Sequence, residues 1–155
     1  MSIPRILVCG GRNYGDLVSL KHNKEHPLWA KREKEYNHIK LTLYRIINER
    51  GWYYDDEYKL PNVRIISGGA RGVDTVAIDW AVVNWTDFKE YPADWKKYHK
   101  AAGPIRNQQM LDEEHPDLVV AFPGGEGTAD MVRRAKAAGI EVIEVEDEGV
   151  SPMSA

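Results

Sequence analysis

The sequence predicts a single α/β domain of the Rossmann-like kind, with a parallel sheet of about five strands and helices on both faces. Short apolar runs alternate with amphipathic stretches along the whole chain. Three of the apolar runs are followed at once by glycine-rich turns, at residues 10–11, 68–72 and 124–127. In an open parallel sheet, the turns that follow the strands gather along one edge, and ligands bind at that edge.

The expected strands are short and mostly apolar: 3–8, 63–67, 87–91, 117–121 and 140–145. The first of them is expected to be central and buried. The expected helices carry apolar residues at helical spacing: 35–50, 73–84, 106–114 and 128–138. Gly51 is expected to end the first helix and Thr128 to cap the last one.

The rest of the chain is expected to be irregular. Residues 17–35 are predicted to form an insertion, either a loop or a short helix. Residues 52–60 are aromatic and acidic, which favours a hairpin tip or lid over a surface that stacks bases or packs on a partner subunit. The domain is expected to span residues 1–146, and residues 147–155 to form an acidic, flexible tail.

Composition excludes several classes of function. The formal net charge of −3 gives no overall basic field, so binding to nucleic acid or to a membrane surface is not expected. No apolar run approaches the ~18 residues of a membrane span, and the N-terminus shows no signal peptide. The single cysteine, Cys9, is interpreted as a small packed residue and fits a reducing compartment, so a cytoplasmic location is predicted.

A metal site is not predicted. His22 and His26 stand four residues apart, which is a metal-ligand spacing only within a helix. Pro27 disfavours a regular helix there, and no further ligand is evident apart from Asp16. The sequence therefore predicts neither a metal nor another cofactor.

The glycine turn at 123–128, Pro-Gly-Gly-Glu-Gly-Thr, joins an apolar run to a helix. Free N–H groups and the helix dipole act together at such a place, which favours an anion and above all phosphate. One glycine turn is explained equally well as a tight bend of the chain. Three such turns on one edge favour a binding site for a phosphate-bearing molecule.

The residues expected to contact this ligand belong to the three turns and to the helix that follows them. Asp74 is expected to accept a ribose hydroxyl, and Arg12 either binds phosphate or is a solvated loop arginine. Residues 93–100 mix aromatic rings with lysines, a composition that suits a base beside a phosphate. The predicted ligand-binding set is Gly10, Gly11, Arg12, Ser67, Gly68, Gly69, Ala70, Gly72, Asp74, Arg106, Asn107, Pro123, Gly124, Gly125, Gly127 and Thr128.

Two common nucleotide motifs are absent from these turns. The first strand is not followed by G-x-G-x-x-G, and no Walker lysine follows the other two glycine turns. The sequence therefore gives little support to an NAD(P)-dependent oxidoreductase or a P-loop NTPase. Arg106, placed at the expected start of a helix, opposes the helix dipole, which suggests that it has a task in the site.

Four segments together resemble the SLOG superfamily, and most closely its small stand-alone members, the YspA or cpYpsA-related proteins of bacteria and their viruses. They are Gly-Gly-Arg at 10–12, Ser-Gly-Gly-Ala-Arg-Gly-Val-Asp at 67–74, Arg-Asn-Gln-Gln-Met at 106–110 and Pro-Gly-Gly-Glu-Gly-Thr at 123–128. The resemblance runs from residue 6 to about 145, apart from the two insertions, and implies a nucleotide-binding domain.

The superfamily includes the LOG phosphoribohydrolases, which cut the N-glycosidic bond of nucleoside 5′-monophosphates. It also includes DprA-like proteins and nucleotide-sensing domains of bacterial defence systems. LOG enzymes bear P-G-G-x-G-T-x-x-E, whose glutamate is catalytic, and R-K-x-x-M. Here Met131 stands at the glutamate position and Asn107 at the lysine position, whereas Arg106 is kept. An enzyme of this type would depend on Arg106 with Asp130 or Glu126 as the carboxylate that stabilises positive charge on the ribose.

Two hypotheses follow from the resemblance and the residues. The first is a module that binds a nucleotide-derived molecule as a sensor, carrier or sequestering protein. The second is a nucleoside 5′-monophosphate N-glycosidase. A DprA-like binder of single-stranded DNA is disfavoured by the acidic charge. A homodimer is expected from the very apolar helix after Gly72 and from the resemblance.

Overall fold

One all-parallel sheet organises the protein, whose structure is a computed structural model that describes residues 2–55 and 57–147. Within those residues, the sheet has five strands in the order β3-β2-β1-β4-β5. Their bounds are β1 Arg5–Cys9, β2 Arg64–Ser67, β3 Asp87–Glu90, β4 Leu118–Ala121 and β5 Glu141–Glu144. The predicted fold class and the central, buried position of the first strand are both confirmed.

The strand order reverses next to β1. The chain moves outward from β1 to β2 and β3, then crosses back to form β4 on the other side of β1 and β5 beyond it. Cys9 at the end of β1 is in register with Ala121 at the end of β4. The loops after these two neighbouring strands therefore diverge at a topological switch point, where open α/β sheets form their ligand crevice.

Helices cover both faces of the sheet. Among the described residues they are α1 Trp29–Arg50, α2 Val73–Val83, α3 Trp95–Tyr98, α4 Ala102–Glu114 and α5 Glu126–Ala137. Ile6 and Val8 of β1 pack with α1 and α2, whereas Leu7 between them packs with α4 and α5. This alternation follows from the two-residue period of a strand, and it explains why β1 is apolar throughout.

The first helix begins six residues before its predicted start. Pro27 precedes the helix instead of interrupting it, and the buried Trp29 packs with two leucines of the predicted insertion, Leu17 and Leu20. A short 3₁₀ turn, Val18–Leu20, is the other regular piece of this segment. Gly51 ends α1 with a left-handed backbone (φ 64°), as predicted.

The predicted starts of α4 and α5 were also too late. Residues 93–100, predicted as a loop, contain α3 and the beginning of a 3₁₀ turn, and α4 starts at Ala102 because Pro104 is tolerated in a first turn. Arg106 therefore does not lie at a helix start, and the inference drawn from the dipole there was wrong. Gly125 is the N-cap of α5, so the prediction that Thr128 caps this helix was wrong as well.

Val83 and Ala138 are exposed although they continue the apolar spacing of their helices, because Val83 is the last residue of α2 and Ala138 is the C-cap of α5. Tyr53 pairs with Pro61 in an isolated antiparallel bridge, which is consistent with the hairpin tip favoured for this segment. Apart from residue 147, the predicted acidic tail lies outside the described residues. In the part of the chain that the structure describes, no helix combines the length and apolar character that a membrane crossing requires.

Candidate functional site

A cleft of about 590 Å³ opens at the carboxyl edge of the sheet, beside the switch point. The loops after β1, β2 and β4 line it together with α3, α4 and the first turns of α5. Most of the residues predicted from the sequence meet here: Gly10, Gly11, Arg12, Gly68, Ala70, Asp74, Arg106, Asn107, Gly125, Glu126, Gly127, Thr128 and Asp130.

The other five predicted ligand-binding residues do not line the cleft: Ser67, Gly69, Gly72, Pro123 and Gly124. Ser67 is fully buried, and its hydroxyl donates to the carbonyl of Asp74 at 3.1 Å. Gly72 has a φ of 76°, and a Cβ there would collide with the carbonyl of Gly11. Ser67 and Gly72 therefore help to fix the positions of the loops.

A backbone hydrogen bond joins the two loops at the switch point. The N–H of Gly11 donates to the carbonyl of Pro123 at 2.8 Å. A Cβ on Gly11 would lie 3.0 Å from that same oxygen. Glycine at position 11 thus allows the loops after β1 and β4 to touch directly, which brings the first and third glycine turns into one site.

The N-terminal turn of α5 is different, because its glycines are not required by packing. A Cβ built on Gly125 or Gly127 meets none of the described atoms within 4 Å beyond its own local chain. Both residues line the cleft. The first N–H groups of α5 have no partner within the helix, and a molecule in the cleft can approach the backbone here closely.

Cationic side chains outnumber carboxylates around the cleft: Arg12, Lys100, Arg106 and Arg133 against Asp74, Glu126 and Asp130. The local charge is therefore positive, although the whole chain carries −3. Arg106 is half-buried, and its Nη1 donates to the carbonyls of Gly68 at 2.6 Å and Tyr91 at 3.2 Å. Burial lowers the pKa of Arg106, and the nearby positive charge of Arg12 lowers it further. An anion bound between these two arginines would offset both the burial of the Arg106 charge and its repulsion by Arg12.

Asp74 is a buried carboxylate at the bottom of the cleft. Its Oδ2 accepts the N–H of Ala70 at 3.1 Å. Burial raises the pKa of Asp74 from 3.8 to about 6, although this hydrogen bond and the charge of Arg106 act in the opposite direction. Near neutral pH, Asp74 is therefore mainly an acceptor for a hydroxyl or another donor.

Asp130 faces the cleft from the second turn of α5. Its Oδ2 accepts hydrogen bonds from Arg134 Nε at 2.9 Å and from Asn107 Nδ2 at 3.0 Å. Burial acts to raise the pKa of Asp130, yet these hydrogen bonds bring it below its ordinary value. Met131 points the other way and is buried in the core under α4 and α5. Of these two neighbouring residues, Asp130 is thus the one whose side chain lines the cleft.

Cys9 lies where β1 meets the cleft. Its thiol is buried, and burial raises its pKa far above the usual range. The interpretation of Cys9 as a packed residue is therefore confirmed, because a thiol that stays protonated is a poor nucleophile. The described residues contain no group of three or more His, Cys, Asp or Glu side chains that could hold a metal ion.

The predicted site residues do not include seven others that line the cleft: Cys9, Trp95, Lys100, Gly103, Pro104, Met110 and Arg133. Trp95 and Lys100 belong to the segment whose composition suits a base beside a phosphate, but its place in the fold was unknown. Arg133 stands three residues after Asp130 on α5, and both lie within the predicted helix 128–138, so their spacing already placed them on one face.

The fold and the cleft define a Rossmann-like α/β protein with a ligand-sized crevice at its switch point. The chain is 39% identical over 90 residues to the gene 61 protein of Mycobacterium phage D29, and this alignment covers 54% of the chain and 71% of that protein. The chain therefore belongs to the family of this phage protein. No protein-family model matches the chain.

Proposed function

We propose that this protein binds a nucleotide-derived, phosphate-bearing small molecule in the cleft, as a sensor, carrier or sequestering protein of the SLOG superfamily. One observation carries the proposal. The N-terminal turn of α5, with the open backbone of Gly125 and Gly127, lines the same cleft as Arg12 and Arg106. Unpaired N–H groups, a helix dipole and two guanidinium groups all favour the same guest, an anion with several acceptor oxygens.

The other groups in the cleft fit the rest of a nucleotide. The buried carboxylate of Asp74 suits a ribose hydroxyl, because a hydroxyl donates to it without adding charge. Trp95 gives the cleft an aromatic wall, and its volume of about 590 Å³ is within the range of small-ligand sites. This combination of phosphate, hydroxyl and aromatic partners favours a nucleotide over a simple sugar phosphate or an inorganic anion.

A second function, cleavage of the N-glycosidic bond of a nucleoside 5′-monophosphate, is favoured by Asp130. This carboxylate lines the cleft, and Asn107 and Arg134 hold it in its ionised form. Such a group stabilises the positive charge that develops on the ribose as the bond breaks. Arg106 would position the phosphate or the sugar in this reaction, and Glu126 is the other carboxylate at the same opening.

One experiment separates the two functions. The protein is titrated calorimetrically with AMP, ADP-ribose, NAD and cyclic di- and trinucleotides, and each mixture is then analysed by chromatography. Binding that leaves the ligand intact supports the sensor, carrier or sequestering protein. Release of a free base and ribose 5-phosphate, lost in Asp130→Asn or Glu126→Gln while binding persists, supports the enzyme. Absence of binding across the panel contradicts both.

The protein is also proposed to form a homodimer. Exposed apolar side chains occur in the middle of α1 and at the end of α2, and together they are here called the α1–α2 patch: Leu41, Tyr44, Val82, Val83 and Trp85. Tyr44 connects the two helices, because its hydroxyl donates to Asn84 Oδ1 at 2.9 Å and its ring packs against Trp80. Exposed apolar side chains on two neighbouring helices support association with a second copy of the chain.

A further inference from the structure

The cation–π contact between Arg12 and Trp95 connects two sides of the cleft. The guanidinium carbon of Arg12 lies 5.5 Å from the centroid of the Trp95 ring. Arg12 follows the glycine turn after β1, whereas Trp95 is the first residue of α3. Both residues line the cleft, so this contact lies at its opening.

The Trp95 ring is held in place but remains accessible. Its edge packs against Gly103 in the first turn of α4, where a Cβ would lie 3.4 Å from ring atom Cη2. Asp94 fixes the turn that carries the ring, because its Oδ1 accepts the N–H of Lys97 at 3.1 Å. Even so, Trp95 is 46% exposed. A positioned, accessible indole ring is a suitable surface for stacking a planar base.

Arg12 is held less firmly than the ring beneath it. Its side chain is exposed, and among residues 2–55 and 57–147 it has neither a hydrogen bond nor an ion pair. Its positive charge acts on both Arg106 and Asp74, so Arg12 lies within electrostatic reach of the anion site. A surface cation–π contact contributes less than a single charge-assisted hydrogen bond, and a bidentate phosphate contact exceeds both.

We infer that Trp95 is the base-stacking, specificity-determining residue of the cleft, and that the ligand's base replaces Arg12 on its ring while Arg12 moves to the phosphate. This inference rests on the proposed function and narrows its ligand class to nucleoside phosphates with an accessible base. Only a ligand that carries both a base and a phosphate can stack on Trp95 and pair with Arg12 at the same time.

The test compares AMP with ribose 5-phosphate, which has the same phosphate and sugar but no base. Calorimetry gives the ratio of their dissociation constants for the wild-type chain and for three variants, Trp95→Phe, Trp95→Leu and Arg12→Gln. In the wild type, we expect AMP to bind about 5- to 150-fold more tightly than ribose 5-phosphate, which is the usual range for one stacked base.

Each variant is expected to change a different quantity. Trp95→Leu should bring the ratio close to one by weakening AMP alone, whereas Trp95→Phe should keep most of the preference because the ring remains aromatic. Arg12→Gln should weaken both ligands about equally, since both carry the phosphate. Because Trp95 and Arg12 are both at least partly exposed, these variants are expected to fold, and circular dichroism verifies this.

The outcomes distinguish this inference from the function on which it rests. If neither AMP nor ribose 5-phosphate binds the wild type, the proposed phosphate site is overturned, and the inference with it. If both bind equally well, or if Trp95→Leu weakens both alike, the cleft binds phosphate but Trp95 does not select the base. If Arg12→Gln weakens neither ligand, the exchange of Arg12 onto the phosphate is overturned.

Discussion

Asn107 and Asp130 join the two helices that border the cleft: Nδ2 of Asn107 donates to Oδ2 of Asp130 at 3.0 Å. The same amide nitrogen donates to the carbonyl of Gly127 at 3.2 Å, and the amide oxygen accepts Nε of Arg106 at 3.1 Å. One buried amide thus fixes a cation on α4, a carboxylate on α5 and the first turn of α5 relative to one another. Asn107 can hold all three groups because its neutral amide both donates and accepts hydrogen bonds.

Asn107→Ala is expected to lower both stability and ligand affinity. The substitution removes three hydrogen bonds and leaves buried groups unpaired, so unfolding in urea should become easier by about 1–3 kcal/mol. AMP affinity should fall about tenfold, because Arg106 and Asp130 lose their common support. Gln109→Ala is the matched control, since Gln109 is exposed on the same helix. Equal effects of the two substitutions would contradict the role given to Asn107.

Gly127→Ala should separate stability from binding. Gly127 lies inside the first turn of α5 and lines the cleft, and a Cβ there would meet none of the described atoms within 4 Å beyond its local chain. Alanine is the better helix former, so the free energy of unfolding should rise by about 0.5–1 kcal/mol. The added methyl group also occupies the space expected for the phosphate, so AMP should bind at least about tenfold more weakly. Thermal unfolding and calorimetry measure the two effects.

Ala129→Gly is the control for this pair of effects. Ala129 is exposed on the same helix and does not line the cleft. The Ala129→Gly substitution should lower the free energy of unfolding by about 1 kcal/mol while AMP affinity stays unchanged. If Gly127→Ala leaves AMP affinity unchanged as well, the first turn of α5 is not the phosphate site.

The raised pKa of the buried Asp74 carboxyl group predicts a specific dependence of stability on pH. Burial raises its pKa from 3.8 to about 6 in the folded protein, so the folded state binds more protons than the unfolded state between these values. Stability should therefore fall as the pH rises through this window, and the ionised carboxylate should cost on the order of 3 kcal/mol by pH 7. Asp74→Asn should remove this fall and stabilise the protein near neutral pH.

Urea unfolding at several pH values between 4.5 and 7 measures this dependence. In that range, carboxylates with a lowered pKa, such as Asp130 and Glu114, stay ionised and add little slope. Asp79→Asn is the control, because Asp79 lies on the exposed face of the same helix. If wild type and Asp74→Asn show the same slope, the carboxylate is not buried as described.

The fold could be predicted from the sequence where the local preference of a segment agrees with the way that segment packs in the protein. The run Ile6-Leu7-Val8 is apolar at every position, which only a strand covered on both faces requires, and β1 is that strand. The starts of the helices were less readable. Trp29 begins α1 because it packs on residues of the preceding segment, and Pro104 is compatible with both a loop and a first helical turn.

The site was predictable to the same extent. The glycine turns follow strands directly, so their meeting at one edge could be predicted from a parallel sheet alone. The place of Trp95 depends on how α3 packs against Gly103, which no local pattern contains. Arg133 stands three residues after Asp130 within the predicted helix, so helical spacing alone could have added it to the predicted site.

The proposed dimer is tested by charging the α1–α2 patch. Val83 and Trp85 are 74% and 87% exposed, far more than a folded chain normally leaves for adjoining apolar side chains. If a second copy covers them, light scattering should give the wild type twice the chain mass of 17.7 kDa. Val83→Glu should lower this mass towards that of one chain, because the interface would bury the new glutamate carboxylates without a partner. Val18→Glu, at an exposed apolar residue outside the patch, should leave the mass unchanged. A wild-type mass of one chain would contradict the dimer, and a Val83→Glu dimer would place its interface elsewhere.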